Sequence, residues 1–173
     1  YLVAAKSLRR FLGRGSLTII DDGTLTGEDR AILAHHCADP EIVPHRAVRR
    51  GPFPPGAEWT PLLTALDGRA GRFWIALEPH TVTLAGLPEV AAAIATNRSF
   101  SLVRRPPAGG RARQMERRLT ALCGTRGWRY RPACCGITGF AAGGTGRALA
   151  GAFVAEARAL GEEATADSAR NLV

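Results

Sequence analysis

Apolar positions recur along this chain at two periods, and the elements they predict alternate. Leu2, Ala5, Leu8, Phe11 and Leu12 fall at helical spacing, and Gly13 stands where that helix should stop. SLTIID (residues 16–21) is a short apolar run suited to a buried strand and is followed at once by Asp22-Gly23. Thr26, with Asp29 three residues on, has the form of an N-cap opening a helix through Ile32 and Leu33. Glu41-Ile42-Val43 reads as a second strand. Beyond a loop of Pro52, Pro54, Pro55 and Gly56, Thr60 is placed to cap a helix starting at Pro61 and carrying Leu62, Leu63 and Leu66. RFWIALE (residues 72–78) reads as a third strand, stopped by Pro79. Pro88 opens a helix over EVAAAIATN, and SFSLV (residues 99–103) follows as a fourth strand.

Helix and strand in alternation predict an α/β fold, a mostly parallel sheet flanked by helices. The rest of the chain is less regular. An arginine-rich helix is expected over residues 111–122, an irregular-ended strand over GWRYRPACCGI (127–137), and a glycine-rich loop over 136–146. A last helix over 147–160 and a polar tail, GEEATADSARNLV, close it. With no internal repeat and no linker, the 173 residues read as a single domain, a βα half (1–104) joined to a basic, glycine-rich half (105–173). The chain opens on Tyr1 and ends at Val173 in an apolar-ended stretch, which we read as a fragment incomplete at its termini.

Composition removes several classes. No apolar run approaches the ~18 residues of a membrane span, and the apolar residues are not in heptads. The net charge is +8, unevenly spread: residues 98–147 hold 11 arginines and one acid, Glu116, while the remainder is slightly acidic. Such a segment is either a solvated helix face or a contact for an anionic partner. Within it, GTRGWRYR interleaves arginines with Trp128 and Tyr130; a strand with aromatic and arginine faces explains this better than a platform for single-stranded nucleic acid. Cys37 and Cys123 stand apart and Cys134-Cys135 are adjacent, so no metal or disulfide spacing is present and reduced thiols in the cytoplasm are expected. His35 and His36 are adjacent on a helix, about 100° apart, and read as surface residues.

Two strands end in groups able to do chemistry. In open α/β sheets, ligands sit beyond the carboxyl ends of strands. The first strand ends in Asp21-Asp22-Gly23-Thr24, where carboxylates can accept hydrogen bonds from a ribose or a base, or simply cap a turn. The third ends in Glu78-Pro79-His80, a carboxylate and an imidazole two residues apart that project to one side in extended chain.

The order of these segments, from LVAAKSLRRFLGRG through LTIIDDGTLTGEDRAIL, GAEWTPLLTALD and RFWIALEPHTVTL to PEVAAAIATNRSFSL, resembles bacterial glycosyltransferases with the GT-A fold. It covers residues 2–102 and resumes at CGITGFAAGG and ADSARNLV. The resemblance implies a GT-A-like fold, a nucleotide-sugar donor, and transfer of its sugar to an acceptor that the sequence leaves unspecified. It assigns Asp21, Asp22, Gly23 and Thr24 to the nucleoside. The family's Asp-x-Asp motif, which holds Mn²⁺ or Mg²⁺, falls on Glu78-Pro79-His80, so Glu78 and His80 are the metal candidates although both aspartates are replaced. Near Asn171, Asp167 stands where the family often has a late acid and is the candidate base for the acceptor hydroxyl. The glycine-rich loop fits a place near the donor phosphates or the acceptor better than a dinucleotide fingerprint, because Pro132 interrupts the strand before it. Nucleic acid is not the expected partner. The alternatives are an arginine-rich nucleic-acid-binding module and a non-catalytic relative that keeps the fold as an interaction surface.

Overall fold

The computed structural model describes residues 1–48, 50, 51, 53, 59–102, 110–128, 136–144 and 146–159. Within them, helices and short strands alternate. Helix α1 (Leu2–Leu12) buries Ala4 and Leu8, one turn apart, and ends where Gly13 takes a left-handed conformation (φ 74°). Strand β1 (Thr18–Asp21) leads to α2 (Gly27–Cys37), which Thr26 and Asp29 open with the reciprocal capping box predicted above. Strand β2 (Glu41–Pro44) and a 3₁₀ turn (His45–Ala47) follow, then α3 (Trp59–Gly68) and β3 (Trp74–Leu77). Pro88 occupies the first position of α4 (Pro88–Ala95), and β4 is the short Phe100–Ser101. The chain continues through α5 (Gly110–Thr125), β5 (Ile137–Phe140) and α6 (Arg147–Ala159).

The architecture is mixed α/β, and the mostly parallel single sheet requires correction. Among the described residues the strands form two sheets. β1 and β2 pair in parallel, Thr18 opposite Glu41 and Asp21 opposite Pro44. β3, β5 and β4 form the second sheet in that order, with β5 antiparallel to both neighbours, so β3 and β4 run in the same direction. The central strand is ITGF, inside the stretch that its glycines marked as a loop; the strand expected from residue 127 begins only at Ile137 among the described residues. Glycine weakens a strand unless a neighbour needs the space. Here one does: the Phe100 ring lies where a side chain on Gly139 would stand, and all four β5 residues are buried.

A continuous apolar core joins α3, β5, α5 and α6, centred on Leu63, Leu119, Phe153 and Val154 with Trp59 and Phe140 beside them. Thr60, expected as a cap, lies inside α3 instead, its hydroxyl buried with no hydrogen-bond partner among the described residues. α3 thus starts earlier than Pro61, and Trp59, itself buried, packs on Phe53 (ring centroids 5.1 Å apart). α3 packs against β3 and α6, α4 against β5, α5 against α6, and α1 against α2.

Candidate functional site

Parallel pairing gives β1 and β2 a common carboxyl rim, so the loop after Asp21 and the turn after Pro44 emerge together. Asp21 is only 5% exposed and fully committed. Its Oδ1 accepts the Gly23 N–H (2.8 Å) and the Leu25 N–H (3.4 Å), while Oδ2 takes the Arg30 guanidinium from α2. The Gly23 N–H above all, with Leu25 and the Arg30 charge, holds this carboxyl below the usual range against the opposing effect of burial. Gly23 itself has φ 100°, a conformation open to glycine.

Asp22 is exposed. Its Oδ1 accepts from the Thr24 N–H (3.1 Å) and the Thr24 hydroxyl (2.7 Å), which lower its pKa, with a smaller contribution from His45 nearby. Oδ2 carries no hydrogen bond among the described residues. Of the two aspartates, Asp22 therefore has an oxygen to offer a ligand, whereas Asp21 and Gly23 shape the loop and Thr24 orients Asp22. His45 and Arg50 were missed by sequence reasoning. The Arg50 Nη2 lies 2.7 Å from His45 Nε2, and both stand just past β2 on the rim that Asp22 shares. The signal was the parallel pairing itself, which makes whatever follows Val43 a neighbour of whatever follows Ile20.

The second group sits at the end of β3. The Glu78 N–H donates to the Gly136 carbonyl (2.9 Å), and the Glu78 carbonyl accepts from the Thr81 N–H (3.2 Å) and hydroxyl (2.7 Å). These bonds close a turn with Pro79 inside it, and the turn brings Glu78 Oε2 within 2.9 Å of His80 Nε2. The side chains are 36% and 76% exposed, so ligand atoms from solvent have access. The 2.9 Å separation is an ion-paired hydrogen bond, the His80 N–H donating to the Glu78 carboxylate, so the two atoms face each other and must part before both could meet one ion. No cluster of three or more such ligands occurs among the described residues, so a metal here would take its other ligands from water or substrate.

No hydrogen bond or ion pair links the Asp22 group to the Glu78 group among the described residues. Both connect to α1: the Ser7 hydroxyl accepts from the Thr83 N–H (3.0 Å), and Arg9 donates to the Cys37 carbonyl at the end of α2 (3.3 Å). Asp167, Cys134, Cys135 and Arg129–Arg131 lie outside the described residues.

Three amides of the glycine-rich segment are taken up within the fold. The N–H groups of Ala141, Ala142 and Gly143 donate to Ser99 Oγ, Asn97 Oδ1 and the Arg69 carbonyl. Much of the nearby charge is neutralised too. Arg126 pairs with Glu156 (2.5 Å), and Arg147 grips Asp67 through two bonds of 2.6 Å. Arg113 and Arg117 line a shallow depression of about 560 Å³ on the outer face of α5. Cys37 and Cys123 are buried free thiols, burial raising the Cys123 pKa, and His35 and His36 are exposed as expected.

Compared with protein-family models, with curated proteins and with solved structures, the chain matches none. Among the described residues, no helix is long and apolar enough to cross a membrane. What the site can do therefore rests on its chemistry.

Proposed function

We propose that the chain binds a nucleoside diphosphate sugar and takes part in transferring its sugar to an acceptor, as a GT-A-like glycosyltransferase. The observation that carries this reading is the pair of strand-end groups: Asp22 with His45 and Arg50 beyond β1 and β2, and Glu78 with His80 beyond β3. Asp22 Oδ2 is placed to accept from a ribose hydroxyl or a base N–H, and the Thr24 hydroxyl fixes the carboxylate that does so. His45 and Arg50 add a polar, partly cationic wall beside it.

Glu78 and His80, a carboxylate and an imidazole on one exposed turn, would hold the divalent metal once the ion pair between them opens. Such an ion, when bound, offsets the negative charge gathering on a departing nucleoside diphosphate. The protein's part is to fix the turn that carries both side chains, through the three bonds to the Glu78 backbone. Asp167 remains the candidate for accepting the proton of the acceptor hydroxyl. Of the eleven arginines on which the nucleic-acid alternative rests, Arg126 and Arg147 are taken up by Glu156 and Asp67.

Calorimetric titration with UDP and GDP, each with and without Mn²⁺, tests the proposal. Binding of one nucleotide that weakens at least tenfold in Asp22→Asn supports it. Absence of binding by both, in the folded protein, overturns it.

A further inference from the structure

We propose that α1 and the segment around Thr83 form one surface that docks on a bilayer of anionic lipids. The proposal is independent of the nucleotide reading and starts from where exposed apolar side chains gather. Among the described residues, eight large apolar side chains are exposed, and five of them stand in two short stretches. Tyr1, Val3 and Phe11 belong to the first, and Val82 and Leu84 to the second. Apolar residues exposed singly need no explanation, whereas several together mark a surface that meets something else.

One hydrogen bond joins the two stretches. The Thr83 N–H donates to Ser7 Oγ (3.0 Å), so Val82 and Leu84 flank the point where their segment touches α1. At about 100° per residue around the helix, Val3 and Phe11 lie roughly 40° to either side of Ser7. By the same count Arg10 lies about 60° and Lys6 about 100° from it. These side chains thus share the face that carries Thr83, while Ala4 and Leu8 are buried on the face beside it. Arg9 points away, to the Cys37 carbonyl.

The charge on this face selects the occupant. Lys6 and Arg10 are exposed, and neither residues 1–20 nor residues 79–88 contain an acid. Leu84 is 87% exposed and Val3 64%, so the apolar side chains stand outward, where they can enter between lipid headgroups. The basic side chains, with their long stems, meet the headgroup phosphates at the same level. Each Lys or Arg near such a surface strengthens binding about fivefold. A protein partner would have to offer a hollow to each outstanding apolar side chain, whereas lipid receives them without a matching shape.

The test is cosedimentation of the full chain, without nucleotide or metal, with vesicles of phosphatidylcholine alone and of phosphatidylcholine mixed with phosphatidylserine. The expected result is binding at least tenfold tighter to the mixed vesicles, weakening as salt is added. Lys6→Ser/Arg10→Ser and Val82→Ser/Leu84→Ser should each lose at least tenfold on the mixed vesicles. Two controls match them elsewhere: Arg113→Ser/Arg117→Ser removes the same charge from α5, and Leu149→Ser an exposed apolar side chain from α6. Both controls should change binding less than threefold. All these side chains are exposed, and circular dichroism confirms that the variants fold. Absence of binding to the mixed vesicles, equal binding to both kinds, or a control that loses as much as its counterpart overturns the proposal. Self-association abolished by Val82→Ser/Leu84→Ser, without vesicle binding, also overturns it and gives the surface to a second copy of the chain. Vesicle binding by a protein that takes neither UDP nor GDP would leave the docking surface standing and remove the nucleotide reading instead.

Discussion

The β1–β2 unit and the region around α3, β5, α5 and α6 bury their residues by different means. In the second region one apolar cluster runs through four elements, with Phe153, Leu63 and Ala157 almost wholly removed from solvent. In the first, Ala4, Leu8, Ile19, Leu33 and Cys37, from α1, β1 and α2, are buried outside that cluster. A two-stranded pair is marginal by itself. What defines its rim is polar: the Asp21–Arg30 contact, the Asp22–Thr24 bonds and the Thr26–Asp29 box. Binding surfaces are commonly drawn from the less stable parts of a fold, where polar groups face solvent and few apolar contacts would be lost on opening. The two regions thus differ in what holds them, an apolar core in one and a polar rim in the other.

Truncating the large core is the strongest way to break this division. Phe153→Ala should cost about 3–5 kcal/mol in chemical denaturation, because the ring is enclosed on all sides. Leu33→Ala, in α2 and outside that cluster, should cost nearer 2 kcal/mol, the low end for such a change. Equal losses would mean that the two regions share one core. Next in size is Gly139→Ala, whose new methyl meets the Phe100 ring and should cost about 1–3 kcal/mol. Combining it with Phe100→Ala should give a loss smaller than the sum of the two, since the second change removes the obstacle created by the first.

The same division explains what was legible in the sequence. α1, α2 and α4 announced themselves through local signals: Gly13 at a stop, the Thr26–Asp29 box and Pro88 at a start. These work because caps and prolines act within a few residues. β5 was not legible. Its place at the centre of a sheet depends on Phe100 filling the space above Gly139, a contact between residues 39 apart in sequence. α3 likewise includes Trp59, ahead of the Thr60-Pro61 signal, and its ring packs on Phe53. For the candidate site, Asp21 and Asp22 were visible as a motif, but not which of them the loop consumes. Arg30, nine residues on, settles that by taking Asp21. His45 and Arg50 became neighbours of Asp22 only through strand pairing.

The two aspartates offer the next, smaller test. Asp22→Asn should leave the denaturation midpoint nearly unchanged and weaken UDP binding about tenfold, the size expected when a charged hydrogen bond becomes a neutral one. Asp21→Asn should do the reverse in kind, lowering stability by releasing Arg30 and loosening the Gly23–Leu25 turn, with binding lost only as the loop opens. If both variants lose binding with unchanged stability, Asp21 is a contact residue and the distinction between them fails.

The smallest effect expected is at the cap of α2, and its pH dependence isolates the polar region from the apolar one. Thr26 accepts from the Asp29 N–H (3.1 Å), and Asp29 Oδ2 in turn accepts from the Thr26 N–H (2.9 Å) and hydroxyl (2.6 Å). Thr26→Ala removes the hydroxyl and should cost about 1 kcal/mol at neutral pH. The Thr26 hydroxyl, followed by its N–H, holds the Asp29 pKa below its ordinary 3.8. A carboxyl depressed in the folded state contributes stability that is complete above 3.8 and disappears as pH falls through the folded value. The gap between wild type and Thr26→Ala should therefore narrow in acid, because protonated Asp29 no longer gains from the hydroxyl. The gap between wild type and Phe153→Ala involves no titrating group and should stay constant over the same range. Parallel pH dependence of the two gaps, measured by denaturation from neutrality into acid, would remove the contrast between a polar rim and an apolar core.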